Sequence, residues 1–148
     1  MSRFSQFISL PAQKKLIVFE AFFRLCQAWI LVRCFPFKKW KGRLGTSSPG
    51  EVFPAEIEIT LEIRLVRKAI NQLNRIFGGV FTCLMVGMAG QDMLRRRGVS
   101  SSLVFGVNTG RSEAKEDMHA HAWLCVGHEV LLGEDQRKRY SPVVSYKS

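Results

Sequence analysis

The chain is short of acid. Its 148 residues hold only 12 Asp and Glu against 22 Lys and Arg, a formal charge of +10, which excludes the acidic, self-repelling composition of solvating tails and is read either as a surface for an anionic partner or as a solvated positive face. Its four cysteines, Cys26, Cys34, Cys83 and Cys125, form no C-x-x-C pair, so neither a zinc ribbon nor a thioredoxin-type redox motif is expected and the thiols read as reduced. No G-x-y period, internal repeat or low-complexity tract is present, which removes collagen and solenoid architectures. Residues Met1 to Leu10 lack a charged-then-apolar layout, and no small-residue cleavage site follows the apolar stretch that ends near Val32. No signal peptide is therefore expected, and a cytoplasmic, reducing location follows. Long uncharged apolar runs are also missing. Leu16 to Val32 is about 17 residues, at the lower limit for a span, and each of its interior charges, Glu20 and Arg24, would cost roughly 2.5 to 3.5 kcal/mol at a bilayer centre. The stretch reads instead as a packed or membrane-touching helix.

What is present can build a core. Hydrophobic residues make up 47% of the chain and aromatics 11%, and a chain of this size buries roughly 70% of the surface it exposes when unfolded. The positive charge is concentrated early: residues 1–50 carry nine basic side chains and one acid, Glu20, while the remainder is nearly balanced at thirteen against eleven. Within the first apolar segment Glu20, Arg24 and Gln27 recur at helical spacing as a narrow polar stripe. Pro36 ends that helix, and Phe37-Lys38-Lys39-Trp40-Lys41 follows, basic with interleaved aromatics and suited to a lipid headgroup surface. Gly45-Thr46-Ser47-Ser48-Pro49-Gly50 reads as a linker. The expected organisation is a basic helical extension over 1–45, a linker over 46–54 and a globular domain over 55–148.

Within that domain Ile57, Ile59, Leu61, Ile63 and Leu65 alternate like a strand, but the helical steps of Ile59, Ile63, Val66, Ile70, Leu73 and Phe77 run longer and predict a helix over Ala55 to Ile76, stopped by Gly78-Gly79. A second helix is expected from Cys83 to Arg95-Arg96-Arg97, whose cations suit a helix C-terminus, with Gly98 as its left-handed cap. Strands are expected at Ser102 to Val107, Met118 to Val126 and Glu129 to Leu132. Helices followed by an antiparallel sheet make an α+β fold.

One constellation carries chemistry. Strand alternation places His119, His121, Trp123 and Cys125 on one face and Ala120, Ala122, Leu124 and Val126 on the other. A cysteine at a helix N-terminus, as expected for Cys83, has its thiolate favoured by exposed amides and the helix dipole. If His121 faces it across the helix–sheet junction, the imidazole can take the thiol proton and later protonate a leaving amine. The Cys83 backbone amide is a candidate oxyanion donor. His119 and Trp123 are candidate substrate contacts, each with a packing role as the plain alternative, and His128 reads as a turn residue.

Thr82-Cys83-Leu84, the helix ending Leu94-Arg95-Arg96-Arg97-Gly98-Val99, His121-Ala122-Trp123 and Arg139-Tyr140-Ser141-Pro142 together resemble the leader peptidases of lasso-peptide biosynthesis, the B maturation proteins. The resemblance extends upstream through Leu16-Ile17-Val18-Phe19-Glu20-Ala21 and Pro36-Phe37. It implies a transglutaminase-like, papain-type cysteine protease core, with Cys83 as nucleophile and His121 as general base and acid. It also implies a precursor cut between leader and core, typically two residues after a leader threonine, and no cofactor or metal. Many members carry an aspartate about a dozen residues after the histidine. Here Leu131-Leu132-Gly133 fills that stretch, with Glu134 and Asp135 just beyond as candidates for the third member. A backbone carbonyl or an amide could orient the ring instead.

One-piece members begin with a winged-helix-like recognition domain, whose strand pattern is not found before Glu51. The resemblance thus implies a split form served by a separate leader-recognition protein and an ATP-dependent, asparagine-synthetase-like cyclase. Two rivals stand beside this reading. His119 and His121 with Cys125 or Cys83 could hold zinc in a hydrolase. Lys38, Lys39, Lys41 and Arg43 could make a non-catalytic module for anionic membrane or nucleic acid, and nothing among them offers base readout, so no nucleic acid is expected.

Overall fold

A computed structural model describes residues 12–51, 57–107, 120–133 and 140–148. Helix α1 spans Ala12–Cys34, and Pro36 ends it in extended backbone. A single turn α2, Phe37–Trp40, and a 3-10 turn, Lys41–Leu44, lead into strand β1, Thr46–Pro49. Helices α3, Leu61–Ile76, and α4, Cys83–Arg96, precede β2, Ser102–Val107, β3, Ala120–Val126, β4, Glu129–Leu132, and β5, Ser141–Lys147. The five strands form one antiparallel sheet in the order β1-β5-β2-β3-β4.

The stretch expected as a linker is thus an edge strand, paired from Thr46 to Lys147 through Pro49 to Val144. No boundary between separately packed units falls there. Ile17, Ala21, Leu25 and Ala28 of α1, with Trp40 and Leu44, belong to the same buried cluster as Ile63, Val66 and Ile70 of α3, Met85 and Leu94 of α4, and Leu103 and Leu124 of the sheet. Helix α3 begins at Leu61, later than the sequence pattern suggests, because the Thr60 hydroxyl accepts from the Ile63 amide and fixes the start. Ile57 and Ile59 before it are half-buried while Glu58 and Thr60 are exposed, so alternation holds before the cap and helical period after it.

Within the Phe37 to Lys41 segment Trp40 turns inward, while Phe37 packs along one edge and stays partly exposed. Trp40 is buried, its indole donates to the Phe35 carbonyl at 3.2 Å, and Phe37 packs edge-on against Trp40, Phe105 and Tyr146. Lys38, Lys39 and Lys41 remain outside. Across the helical layer, Arg97 donates to both Glu20 carboxylate oxygens, at 3.0 and 2.7 Å, and to Glu62 at 3.0 Å, tying α1 and α3 to the end of α4. Glu20 therefore pairs with Arg97, whereas Arg24, one turn further along the polar stripe, donates to Gln27.

Candidate active site

Cys83 opens α4. The Thr82 hydroxyl accepts from the Met85 amide and the Val86 amide bonds the Thr82 carbonyl, so the first-turn amides of Cys83 and Leu84 have no intrahelical acceptor. Gly98, with a φ of 71°, closes the other end as expected, the Val99 amide reaching back to Leu94. Cys83, Gly87, Gly90 and Leu94 follow one another at steps of four, three and four and lie on one helix face. That face meets the sheet. A Cβ on Gly87 would strike Leu103, and one on Gly90 would strike Leu124 and Leu132, which is why glycine stands at both positions. Because α4 runs back into β2 through the short connection after Arg96, its N-terminus lies toward the far end of β2. Cys83 sits one turn, about 6 Å, beyond Gly87, toward the row where Phe105 pairs with Ala122. Its side chain is half-buried against the main cluster.

His121 stands at that same end of the sheet, paired in register with Gly106. Alternation along β3 is as the sequence suggests: Ala122, Leu124 and Val126 join the cluster under the helices, while Trp123 and Cys125 form a second cluster with Val104 and Val130 on the other face. The His121 ring lies with the second group, stacked on Trp123 at 6.0 Å between centroids and tilted against Tyr140 at 5.0 Å. Cys83 and His121 thus share an end of the helix–sheet layer but project on opposite sides of β3. Among the described residues no hydrogen bond joins them.

The imidazole has a partner. His121 Nε2 lies 3.0 Å from the carbonyl oxygen of Gly133, twelve residues on. A carbonyl only accepts, so Nε2 carries the proton and the neutral ring keeps its lone pair on Nδ1, the tautomer a general base needs. Gly133 occupies a left-handed conformation, φ 87°, where a Cβ would lie 2.9 Å from the Ala122 carbonyl oxygen. The position is built for backbone, not for a side chain.

Trp123, a candidate substrate contact, is 1% exposed and forms the packed surface beneath His121. Its ring rests over Gly106, where a Cβ would come within 2.7 Å, and its indole nitrogen lies 3.5 Å from Glu51. Burial removes it as a docking surface for substrate. His119, Glu134 and Asp135 lie outside the described residues. Among the described residues no group of three or more His, Cys, Asp or Glu side chains could hold a metal ion. Sequence reasoning allowed a backbone carbonyl as the group that orients the ring and placed Gly133 in the stretch concerned, without joining the two, and gave Tyr140 no role. The spacing of Gly133 from His121 was the only available signal for the first, and Tyr140 offered none beyond its place in a motif.

No curated protein and no solved structure matches the chain. A family model of the transglutaminase-like superfamily matches residues 28–145, a span that takes in the C-terminal part of α1, both flanking elements of the site and the strands from β1 into β5. With a cysteine at the start of the central helix and a histidine near the start of the strand that helix covers, the chain belongs to the transglutaminase-like superfamily.

Proposed function

We propose that this protein is a cysteine peptidase that removes the leader from a ribosomally made lasso-peptide precursor. The observation that carries the reading is the His121–Gly133 hydrogen bond, which holds the imidazole in the tautomer with Nδ1 free at the end of the sheet to which the Cys83 helix brings its N-terminus. Family membership supports the fold-level part, and the motif resemblance around Cys83, His121-Ala122-Trp123 and Tyr140-Ser141-Pro142 supports the substrate. Catalysis on this reading requires the end of β3 that carries His121, with its Gly133 partner, to turn toward Cys83 in the working complex, because the two side chains project on opposite sides of that strand.

Nδ1 of His121 takes the Cys83 proton, and the thiolate sulfur bonds to the scissile carbonyl carbon. The oxyanion accepts from the free amides at the start of α4. The imidazolium then returns its proton to the leaving amine as the C–N bond breaks, leaving a thioester. Water, deprotonated by the same nitrogen, hydrolyses the thioester and restores the thiol. The Gly133 carbonyl stays bonded to Nε2–H throughout, fixing the ring as a carboxylate would but without its charge. A separate leader-recognition protein and an ATP-dependent cyclase are the partners this reading implies.

The test is reconstitution with precursor and recognition protein, the products weighed by mass spectrometry. Cleavage at the leader–core junction should vanish with Cys83→Ala and with iodoacetamide, fall by about 10³-fold or more with His121→Ala, and survive a strong chelator. Cleavage that persists in Cys83→Ala, or that a chelator abolishes, overturns it. Full-rate cleavage without the recognition protein would remove that partner from the scheme.

A further inference from the structure

A helix that is apolar all round is normally enclosed, because only burial recovers the free energy of hiding every face from water. Helix α1 is apolar on two sides and enclosed on one. Ile17, Ala21, Leu25 and Ala28 enter the core, while Leu16, Phe23 and Ile30, spaced along the outer face, are 69%, 62% and 48% exposed. Phe22 continues this surface sideways to Phe77, 5.7 Å between ring centroids, and to exposed Ile76 and Val80. Phe35 and Phe37 extend it past the helix C-terminus. An apolar area this continuous on a small protein marks a contact surface.

The charges around it select the contact. Arg24 lies 6.0 Å from the Phe23 ring and Arg33 5.9 Å from the Trp29 ring, and Lys14, Lys38, Lys39 and Lys41 are exposed on or just beyond the helix. The one acid on α1, Glu20, is held by Arg97 and Arg96 and offers no opposing charge. Aromatic and aliphatic side chains on one face, rimmed by cations, match the boundary between acyl chains and anionic headgroups. No described helix is long and apolar enough to cross a membrane, so the contact is with the surface.

We propose that the outer face of α1 docks this protein on an anionic lipid bilayer, the helix lying in the plane of the interface with Leu16, Phe23 and Ile30 inserted and Lys38 and Lys39 among the headgroups. The proposal is independent of the peptidase reading.

Flotation of the full chain with phosphatidylcholine vesicles, with and without phosphatidylglycerol, tests it. The protein should float with the anionic vesicles, less with neutral ones, and progressively less as salt rises. Phe23→Asp and Leu16→Asp should each lower the partition by about tenfold or more, as loss of one inserted side chain predicts, with thermal unfolding unchanged because both residues lie outside the core. Lys38→Glu with Lys39→Glu should lower it on anionic vesicles only. Trp29 emission should shift to the blue on binding, since Trp40 and Trp123 are already buried. Failure to float with anionic vesicles overturns the proposal, as does floating that Phe23→Asp leaves untouched. A dimer in sedimentation velocity that Phe23→Asp abolishes, without vesicle binding, would make a second copy the occupant and likewise overturn it.

Discussion

At the scale of single residues, the Glu20–Arg97 pair sets how the protein responds to acid. Burial alone would push the Glu20 carboxyl up, but hydrogen bonds from Arg97 and the charges of Arg97, Arg96 and Arg24 outweigh it and hold the carboxyl below its ordinary 4.5. A carboxyl depressed in the folded state adds stability that is complete above the unfolded value and is lost as pH falls through the folded one. With both side chains only 12% and 14% exposed, Glu20→Gln should cost about 1 to 3 kcal/mol near neutrality. Urea denaturation across pH should find the gap between the two proteins constant above about pH 5.5 and closing below 4.5. A gap independent of pH would show that the pair does not titrate with folding. Gly133 is the other decisive residue. Gly133→Ala meets both a left-handed backbone and the Ala122 carbonyl, and should cost about 2 kcal/mol, measured by denaturant midpoint, while displacing the acceptor from His121. The faces of β3 were legible because alternation is a local property of a strand. The Gly133 acceptor was not, because a main-chain oxygen leaves no trace in residue identity and only the fold brings it to the ring.

Elements were read well where their signals are local and poorly where they depend on distant pairing. Helix α4 was legible at both ends, with Cys83 at its start and Gly98 past its end, and so was β2. The strands β1 and β5 were not anticipated. Thr46-Ser47-Ser48-Pro49 and Ser141-Pro142 carry the Ser and Pro of turns, and they become strands because each finds a partner about a hundred residues away or across a sheet already begun. Proline is tolerated in β1 because it lies at the sheet edge. Helix α1 was legible as a packed or membrane-touching helix, but its core-facing side was not, since composition cannot say which of two apolar faces meets the core. Caps make the sharpest test at this scale. Thr82→Ala removes the acceptor for Met85 and should destabilise by about 1 kcal/mol. It should also raise hydrogen exchange in the first turn of α4, where Cys83 sits. Exchange unchanged there would show that sheet packing alone holds that turn.

For the molecule as a whole, the shared core replaces the expected division into extension, linker and domain. Since α1 covers α3 and α4 from the side opposite the sheet, a chain beginning at Thr46 would expose Leu25's whole pocket and the surfaces of Val66, Ile70 and Met85. Such a truncation should fail to give a cooperative thermal transition, whereas the complete chain should unfold in one step by circular dichroism and by tryptophan fluorescence together. Two separate transitions in the complete chain would restore an independent extension.

The strand order has a consequence for how the polypeptide comes together. β5, the last described element along the chain, lies between β1 and β2 and bonds both. During synthesis β1 precedes its only described ladder neighbour, β5, by about a hundred residues and waits unpaired until that strand is made. The edge of β2 therefore stays unsatisfied from the time β2 is made until β5 follows it, and the sheet closes only when that later segment enters between β1 and β2, a step of high sequence separation for β1 and correspondingly slow entropy-limited search.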